Sequence, residues 1–194
     1  ILLLNGNDAI SGMLGEGNNE RVFFSVERTS ASTESCVNQV CDIMSCPKCH
    51  KPLHYEFYHY HHIGVPVCSC GFSMPQSSYY ASDVDFDKGT FVFHERGGEC
   101  VPLPFAAGNL FNVFNVTAAA AICRMAGVPL SSIAACVDTF SSTQGRFEEK
   151  KAGDLDVVTM LFKNQNPISG SQSLAYLNHI EGPKDVVLIV TDSK

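Results

Sequence analysis

The chain has 194 residues, a net charge of −7, 45% hydrophobic and 17% charged residues, so it is large enough to bury a core of one domain or one domain and part of another. The acidic balance, with no basic run, argues against a protein that tracks a nucleic-acid backbone, although a mononucleotide remains a possible ligand. No apolar run reaches the roughly 18 residues a spanning helix needs, and no signal peptide is evident.

The chain opens on Ile1 to Leu4, a short apolar run closed by Asn5-Gly6-Asn7-Asp8, which predicts a buried strand. Asp8 is placed to cap the segment Ala9 to Leu14, or to face a ligand at the end of the strand. Arg21 to Val26 predicts a second strand. Residues 28 to 45 are polar and read as a connection, with Cys36 and Cys41 as plain thiols.

The most informative stretch follows. Cys46-Pro47-Lys48-Cys49 and Cys68-Ser69-Cys70-Gly71 are two close cysteine pairs separated by residues 50–67, a spacing that reads as a four-cysteine zinc site. Four thiolates close a tetrahedron and leave no position for water, so such a zinc is a structural staple. With no secretory context, paired cysteines favour metal over disulfides and therefore a reducing, cytoplasmic setting. Leu53 to Tyr60 reads as an aromatic strand and Gly64 to Pro66 as a turn, giving a ribbon over 46–71 too small for a core of its own. His50, His54, His59, His61 and His62 lie in or beside it. They read chiefly as surface or packed aromatics, with His54 or His62 as possible substitutes for a cysteine ligand.

Beyond the ribbon, Tyr79 to Phe86 and Thr90 to His94 predict a hairpin turning at Asp87-Lys88-Gly89, and Val101 to Phe105 predicts an edge piece broken by prolines. The strongest helix signal runs from Asn109 to Ala126, stopped by Gly127 and Pro129. Asn109, Asn112 and Asn115 recur every three residues. They read equally as a cap with two satisfied amides or as a pocket edge that reads a base. Pro129 to Phe140 predicts a shorter helix. Ser141 to Gly145 reads as a linker, dividing the chain into 1–145 and 146–194. In the second part a strand from Asp154 to Phe162, a helix capped by Asn166 and a strand from Asp185 to Val190 predict a right-handed βαβ unit with a parallel pair.

Several segments together resemble the Mur ligase family, and within it the MurT-like subunits of lipid II isoglutaminyl synthase. Leu4-Asn5-Gly6-Asn7-Asp8 is similar to a Leu-Asn-x-Asp-Asp element, Gly108 to Ala121 to an Asn-x-x-Asn-x-x-Ala-Ala helix, Gly145-Arg146-x-Glu148 to a Gly-Arg-x-Glu element, and Lys163 to Gly170 to a Lys-Asn-Pro-x-Gly turn. The four-cysteine ribbon within the central domain sets the MurT-like branch apart. The resemblance implies an internal fragment of a longer protein: part of a Mur ligase central domain, a mixed α/β sheet carrying the zinc ribbon, followed by the start of a Rossmann-like C-terminal domain. It further implies an ATP- and Mg2+-dependent ligase subunit that activates the D-glutamate α-carboxylate of lipid II, with ammonia from a GatD-like glutaminase partner. Cys46, Cys49, Cys68 and Cys70 would hold the zinc. Asn112 and Asn115 would lie at the adenine, Arg146 toward ribose or phosphate, and Lys163 and Asn166 toward the cleft. No residue of the fragment is expected to be catalytic, since the phosphate loop and the later C-terminal domain are absent. Other readings are a folate- or cyanophycin-type ligase of the same superfamily and a non-catalytic zinc-ribbon interaction module.

Overall fold

In a computed structural model of the chain, residues 1–37, 43–105, 110–140, 147–161, 170–171, 173–174, 177–178 and 180–189 are described. Two compact units divide it, Ile1–Phe140 and Ser141–Lys194.

The first unit is built on a five-stranded mixed sheet of order β1-β2-β5-β6-β7. Strands β1 (Leu2–Asn5), β2 (Arg21–Val26) and β5 (Tyr79–Asp85) run parallel to one another; β6 (Thr90–Glu95) and β7 (Cys100–Pro104) return antiparallel. The parallel strands are the ones joined by long excursions, as parallel pairing requires, and the antiparallel ones are joined by tight turns. Asp85 Oδ1 accepts from the amides of Asp87 and Lys88 in the β5–β6 turn, and Gly89 completes the turn at φ +64°. Pro102 and Pro104 are accommodated because β7 is the edge strand.

Two helices, α1 (Leu110–Met125) and α2 (Leu130–Thr139), bury one face of this sheet. On α1 the buried positions Leu110, Val113, Phe114, Thr117, Ala120 and Ala121 follow helical spacing, and the alanines let the helix approach the strands closely. Thr117 is fully buried, its hydroxyl donating to the Val113 carbonyl at 2.7 Å. The core there is Val26, Tyr79, Ala81, Phe91, Phe93 and Leu103 against Val113, Phe114, Leu130 and Ile133. Arg124 ties α1 to the sheet, Nε and Nη2 donating to Glu95 Oε2 at 3.0 and 2.6 Å.

Between β2 and β5, which are neighbours in the sheet, the chain leaves to form a separate two-stranded ribbon, β3 (His54–Tyr60) and β4 (Ile63–Val67). The sequence expectation of a turn at Gly64 to Pro66 is corrected: these residues lie in β4, and the turn is His61-His62, with His61 at φ +46°. Gly64 marks a close strand approach, because a Cβ there would stand 2.2 Å from the Phe57 carbonyl oxygen. The cap expected of Asp8 is corrected: the cap position of the short turn that follows is Ile10, without a side-chain bond, and Asp8 closes a tight turn instead. Its carboxylate accepts from the Ile10 amide at 3.1 Å and the Ser11 hydroxyl at 2.6 Å, ahead of one 3-10 turn, Ser11–Met13.

The second unit begins with β8 (Phe147–Ala152) and β9 (Leu155–Met160), an antiparallel hairpin. Gly153-Asp154 makes its two-residue turn, with Gly153 at φ +63°, so β9 pairs with the segment just before it. The sequence did not announce β8 because its run Glu148-Glu149-Lys150-Lys151 lacks apolar alternation. Residues 170–171, 173–174 and 177–178 are helical as expected. Residues 183–189 carry no strand, and no parallel pair is present in this unit among the described residues. The expected βαβ arrangement is therefore replaced at its start by the hairpin.

Candidate metal centre and adjoining groove

Each cysteine pair sits in a turn that aims both sulfurs inward. In the first, the Cys46 amide donates to the Lys51 carbonyl at 2.8 Å and the His50 amide to the Cys46 carbonyl at 2.8 Å, with His50 at φ +60°. In the second, the Cys68 amide donates to Phe72 and the Gly71 amide to Cys68 at 3.0 and 2.9 Å, and Gly71 takes φ +84°. The single spacer residue of Cys68-Ser69-Cys70 is thus accommodated by a left-handed glycine directly after it.

The four sulfurs of Cys46, Cys49, Cys68 and Cys70 lie within 4.8 Å of one another. Cys46–Cys70 and Cys49–Cys68 are 3.7 and 3.6 Å apart, and all four thiols are free. A disulfide would bring two sulfurs to about 2.05 Å. Four thiolates at about 2.3 Å from one tetrahedral ion would stand about 3.8 Å apart, which the observed spacing fits. The backbone amide of Cys70, assisted by the neighbouring sulfurs, pulls the Cys68 thiol down to about 7 against the burial that opposes it. Cys49 goes the other way. The Lys51 amide lowers it, but burial and the three adjacent sulfurs together push it up to about 12. Crowded thiols that cannot all ionise without a cation are the expected state of a metal-binding set. Among the described residues no histidine belongs to this group. Ala9, Ile43, Leu53 and Phe72 pack around Cys46 as a second, much smaller core.

His59 plays a different role. It is buried, its Nε2 donates to the Val26 carbonyl at 3.0 Å, and its ring meets Phe114 edge-on at 5.4 Å. With Nε2 protonated, Nδ1 accepts from the Ser32 hydroxyl at 3.1 Å. The ribbon is thereby fastened to β2 and α1. Asn7 makes a second fastening: its Oδ1 accepts from the Val26 amide at 2.7 Å and its Nδ2 donates to the Gly64 carbonyl at 3.2 Å. The neutral Asn at this position thus joins β1, β2 and β4 from a site only 2% exposed.

Where β1 and β2 end, a groove of about 410 Å³ opens, lined by Gly6, Asn7, residues of the β2 end through Arg28, Phe57, Val65, Met74 to Ser77, and Arg96. The carboxyl ends of parallel strands are where open α/β sheets place ligands. Sequence reasoning did not single out Arg28, Ser77 or Arg96. They come from three distant segments and no spacing signal links them.

The nucleotide residues expected from the sequence are less concentrated. Asn112 and Asn115 lie three residues apart on α1, Asn112 half-buried and Asn115 exposed, and neither lines this groove. Asn109, Arg146, Lys163 and Asn166 lie outside the described residues, as does Cys41.

A mixed sheet with helices on one face and a cysteine-knuckle ribbon inserted between adjacent parallel strands is the arrangement to compare with known proteins. The solved pseudomurein peptide ligase type C from Methanothermus fervidus superposes on 90% of the chain and 33% of its own, with TM-score 0.71 and 25% identity. The chain thus shares the fold of this peptide ligase over most of its length. More particularly, the MurT subunit of lipid II isoglutaminyl synthase (glutamine-hydrolyzing) from Staphylococcus aureus strain COL is 28% identical over 192 residues, 99% of this chain. The MurT of Streptococcus pneumoniae is 30% identical over 131 residues, 66% of the chain. The chain spans 42% and 28% of these relatives, respectively. No family model matches it. The resemblance to Mur ligases, and among them to MurT, therefore holds along nearly the whole sequence.

Proposed function

We propose that the chain is part of an ATP-dependent amide ligase of peptidoglycan synthesis, in which the four-cysteine ribbon holds one structural zinc. The observation that carries this reading is the four-sulfur cluster set into a Mur-type sheet, together with the alignment to MurT over 99% of the chain. Cys46, Cys49, Cys68 and Cys70 would bind the metal. All four positions of a tetrahedral ion are then filled, so its role is to hold the ribbon and not to activate water.

In this reading residues 1–145 are part of the central domain and residues 146–194 begin the next one. ATP would supply the phosphoryl group that turns a carboxylate oxygen into a leaving group. No Gly-Lys-Ser or Gly-Lys-Thr occurs in these 194 residues, so a phosphate loop of that kind would lie elsewhere in the full protein. Asn112 and Asn115 would offer paired donors and acceptors to the base, with Arg146, Lys163 and Asn166 serving the sugar, phosphate or cleft. The acceptor would be the D-glutamate α-carboxylate of lipid II and the amine ammonia, delivered by a GatD-like glutaminase in the cytoplasm.

Two measurements test this. Elemental analysis of the purified chain is expected to give about one zinc per chain, with about four thiols becoming reactive on chelation. Full-length protein, mixed with a glutaminase partner, ATP and lipid II, is expected to yield the amidated stem. Absence of metal with oxidised or freely reactive cysteines would sink the ribbon; ligation of an amino acid in place of ammonia would sink the amidation. The likeness to a pseudomurein peptide ligase makes that amino-acid ligation the second reading.

A further inference from the structure

The four cysteines of the cluster are unequally exposed. Cys46 is fully buried beside Ala9, Ile43, Leu53 and Phe72, Cys49 and Cys68 are half-buried, and Cys70 stands exposed. The buried sulfur and the exposed one face each other across the two knuckles, 3.7 Å apart and 24 residues apart in sequence. Cys49 and Cys68 make a second cross-knuckle contact at 3.6 Å. Gly71, directly after Cys70, is exposed and has open space where a Cβ would stand, so solvent reaches this knuckle from its outer side. A thiolate that solvent reaches is open to two-electron oxidants, and a buried one is screened from them.

We propose that this cluster is also a site of reversible oxidation, at which hydrogen peroxide replaces the metal staple with a Cys46–Cys70 disulfide. The inference rests on the reading of the four cysteines as a metal site. The Cys70 thiolate attacks one peroxide oxygen, the O–O bond breaks, and the departing hydroxide takes up a proton and leaves as water. Cys70 is then a sulfenic acid. The Cys46 thiolate, screened from the oxidant but within reach of Cys70, attacks the sulfenic sulfur. The S–O bond breaks, and a second hydroxide takes up a proton and leaves as water. Two thiolates are oxidised to one disulfide and one peroxide is reduced to two waters. Closing 3.7 Å to a bonded distance needs a shift of roughly 1.7 Å. Cys49 and Cys68 remain as half a ligand set, too few to retain the ion. The new bond closes the same 24-residue span between the knuckles, so the ribbon stays stapled while the metal leaves.

The test treats reduced, zinc-loaded protein with about one equivalent of hydrogen peroxide. Zinc is followed with a colorimetric chelator, thiols by titration and cross-links by peptide mass mapping. Zinc release is expected, with two of the nine thiols lost per ion and Cys46–Cys70 as the linked pair. A dithiol reductant with added zinc is expected to reverse the change. Amide exchange through 43–53 and 67–74 is expected to be about tenfold slower in the oxidised protein than in reduced protein stripped by a chelator. The double variant Cys100→Ala, Cys136→Ala, which removes two exposed thiols outside the cluster, is expected to release zinc as readily. Absence of zinc from the reduced protein would sink the metal reading and the exchange with it. Zinc retained under peroxide, a Cys46–Cys49 or Cys68–Cys70 link in its place, or exchange as fast as after chelation would overturn the proposal and leave the metal reading standing.

Discussion

His59 is a residue through which burial couples the stability of this protein to pH. Burial drives its imidazole down to about 4, with the Val26 carbonyl pulling weakly the other way. The folded state therefore holds His59 neutral while an unfolded chain protonates it near 6.5. Stability from this group is complete above about pH 6.5 and is lost as pH falls toward 4, by a total on the order of 3 kcal/mol. Urea midpoints taken from pH 7.5 to 4.5 are expected to fall along this window. His59→Gln, which retains hydrogen bonding without the titration, is expected to start lower but decline less. An unchanged slope in that variant would assign the pH dependence to the cysteines. From the sequence, His59 is one of five histidines around the ribbon. Period-two alternation puts it on the opposite face of the strand from His54, which is exposed, but which face is buried depends on what packs above the strand.

At the scale of elements, the ribbon and the helix α1 are held by different means. In the ribbon, Gly64 lets β4 pass the Phe57 carbonyl, and Gly64→Ala is expected to destabilise the protein by about 2–4 kcal/mol. The loss should appear as faster amide exchange through 54–67, and an Ala variant with wild-type exchange would rule out the close approach. Helix α1 is joined to β6 by the Arg124–Glu95 pair, 20% and 31% exposed. Arg124→Met leaves Glu95 half-buried without its partner and is expected to cost about 1–3 kcal/mol. Glu95→Gln, which preserves an acceptor, should cost less. Thermal midpoints of the two variants decide the order. The ion pair joins residues 29 apart in sequence and the close approach depends on the irregular register of the β3–β4 hairpin, so neither has a local signature. The elements themselves do. The apolar spacing of α1, the turn residues of the β5–β6 hairpin and the strand at 21–26 all carry their own periodicity.

Across the whole molecule, the large core lies under α1 and α2, while the small core of Ala9, Ile43, Cys46, Leu53 and Phe72 lies at the knuckles. A cluster of that size cannot offset the entropy of ordering its loops, and a metal would. Chelation is expected to abolish amide protection through 43–53 and 67–74 while the strands β5 to β7 keep theirs. Simultaneous loss in both regions would show that the two cores unfold as one unit.

The sequence by itself determined the strands around the apolar runs, the α1 face, and the four-cysteine cluster, since each depends on neighbours within a turn or on a fixed ligand spacing. It also carried the Mur-type resemblance through short motifs. Only the tertiary structure decided three further features. Gly64 to Pro66 pairs as β4 because the ladder with β3 outweighs the local turn preference of Gly and Pro. The second unit opens with an antiparallel hairpin because Gly153-Asp154 folds back a charged strand that had no apolar period. The groove of Arg28, Ser77 and Arg96 exists because the segments just after β2, just before β5 and just after β6 meet, bringing together residues that share no local sequence relation.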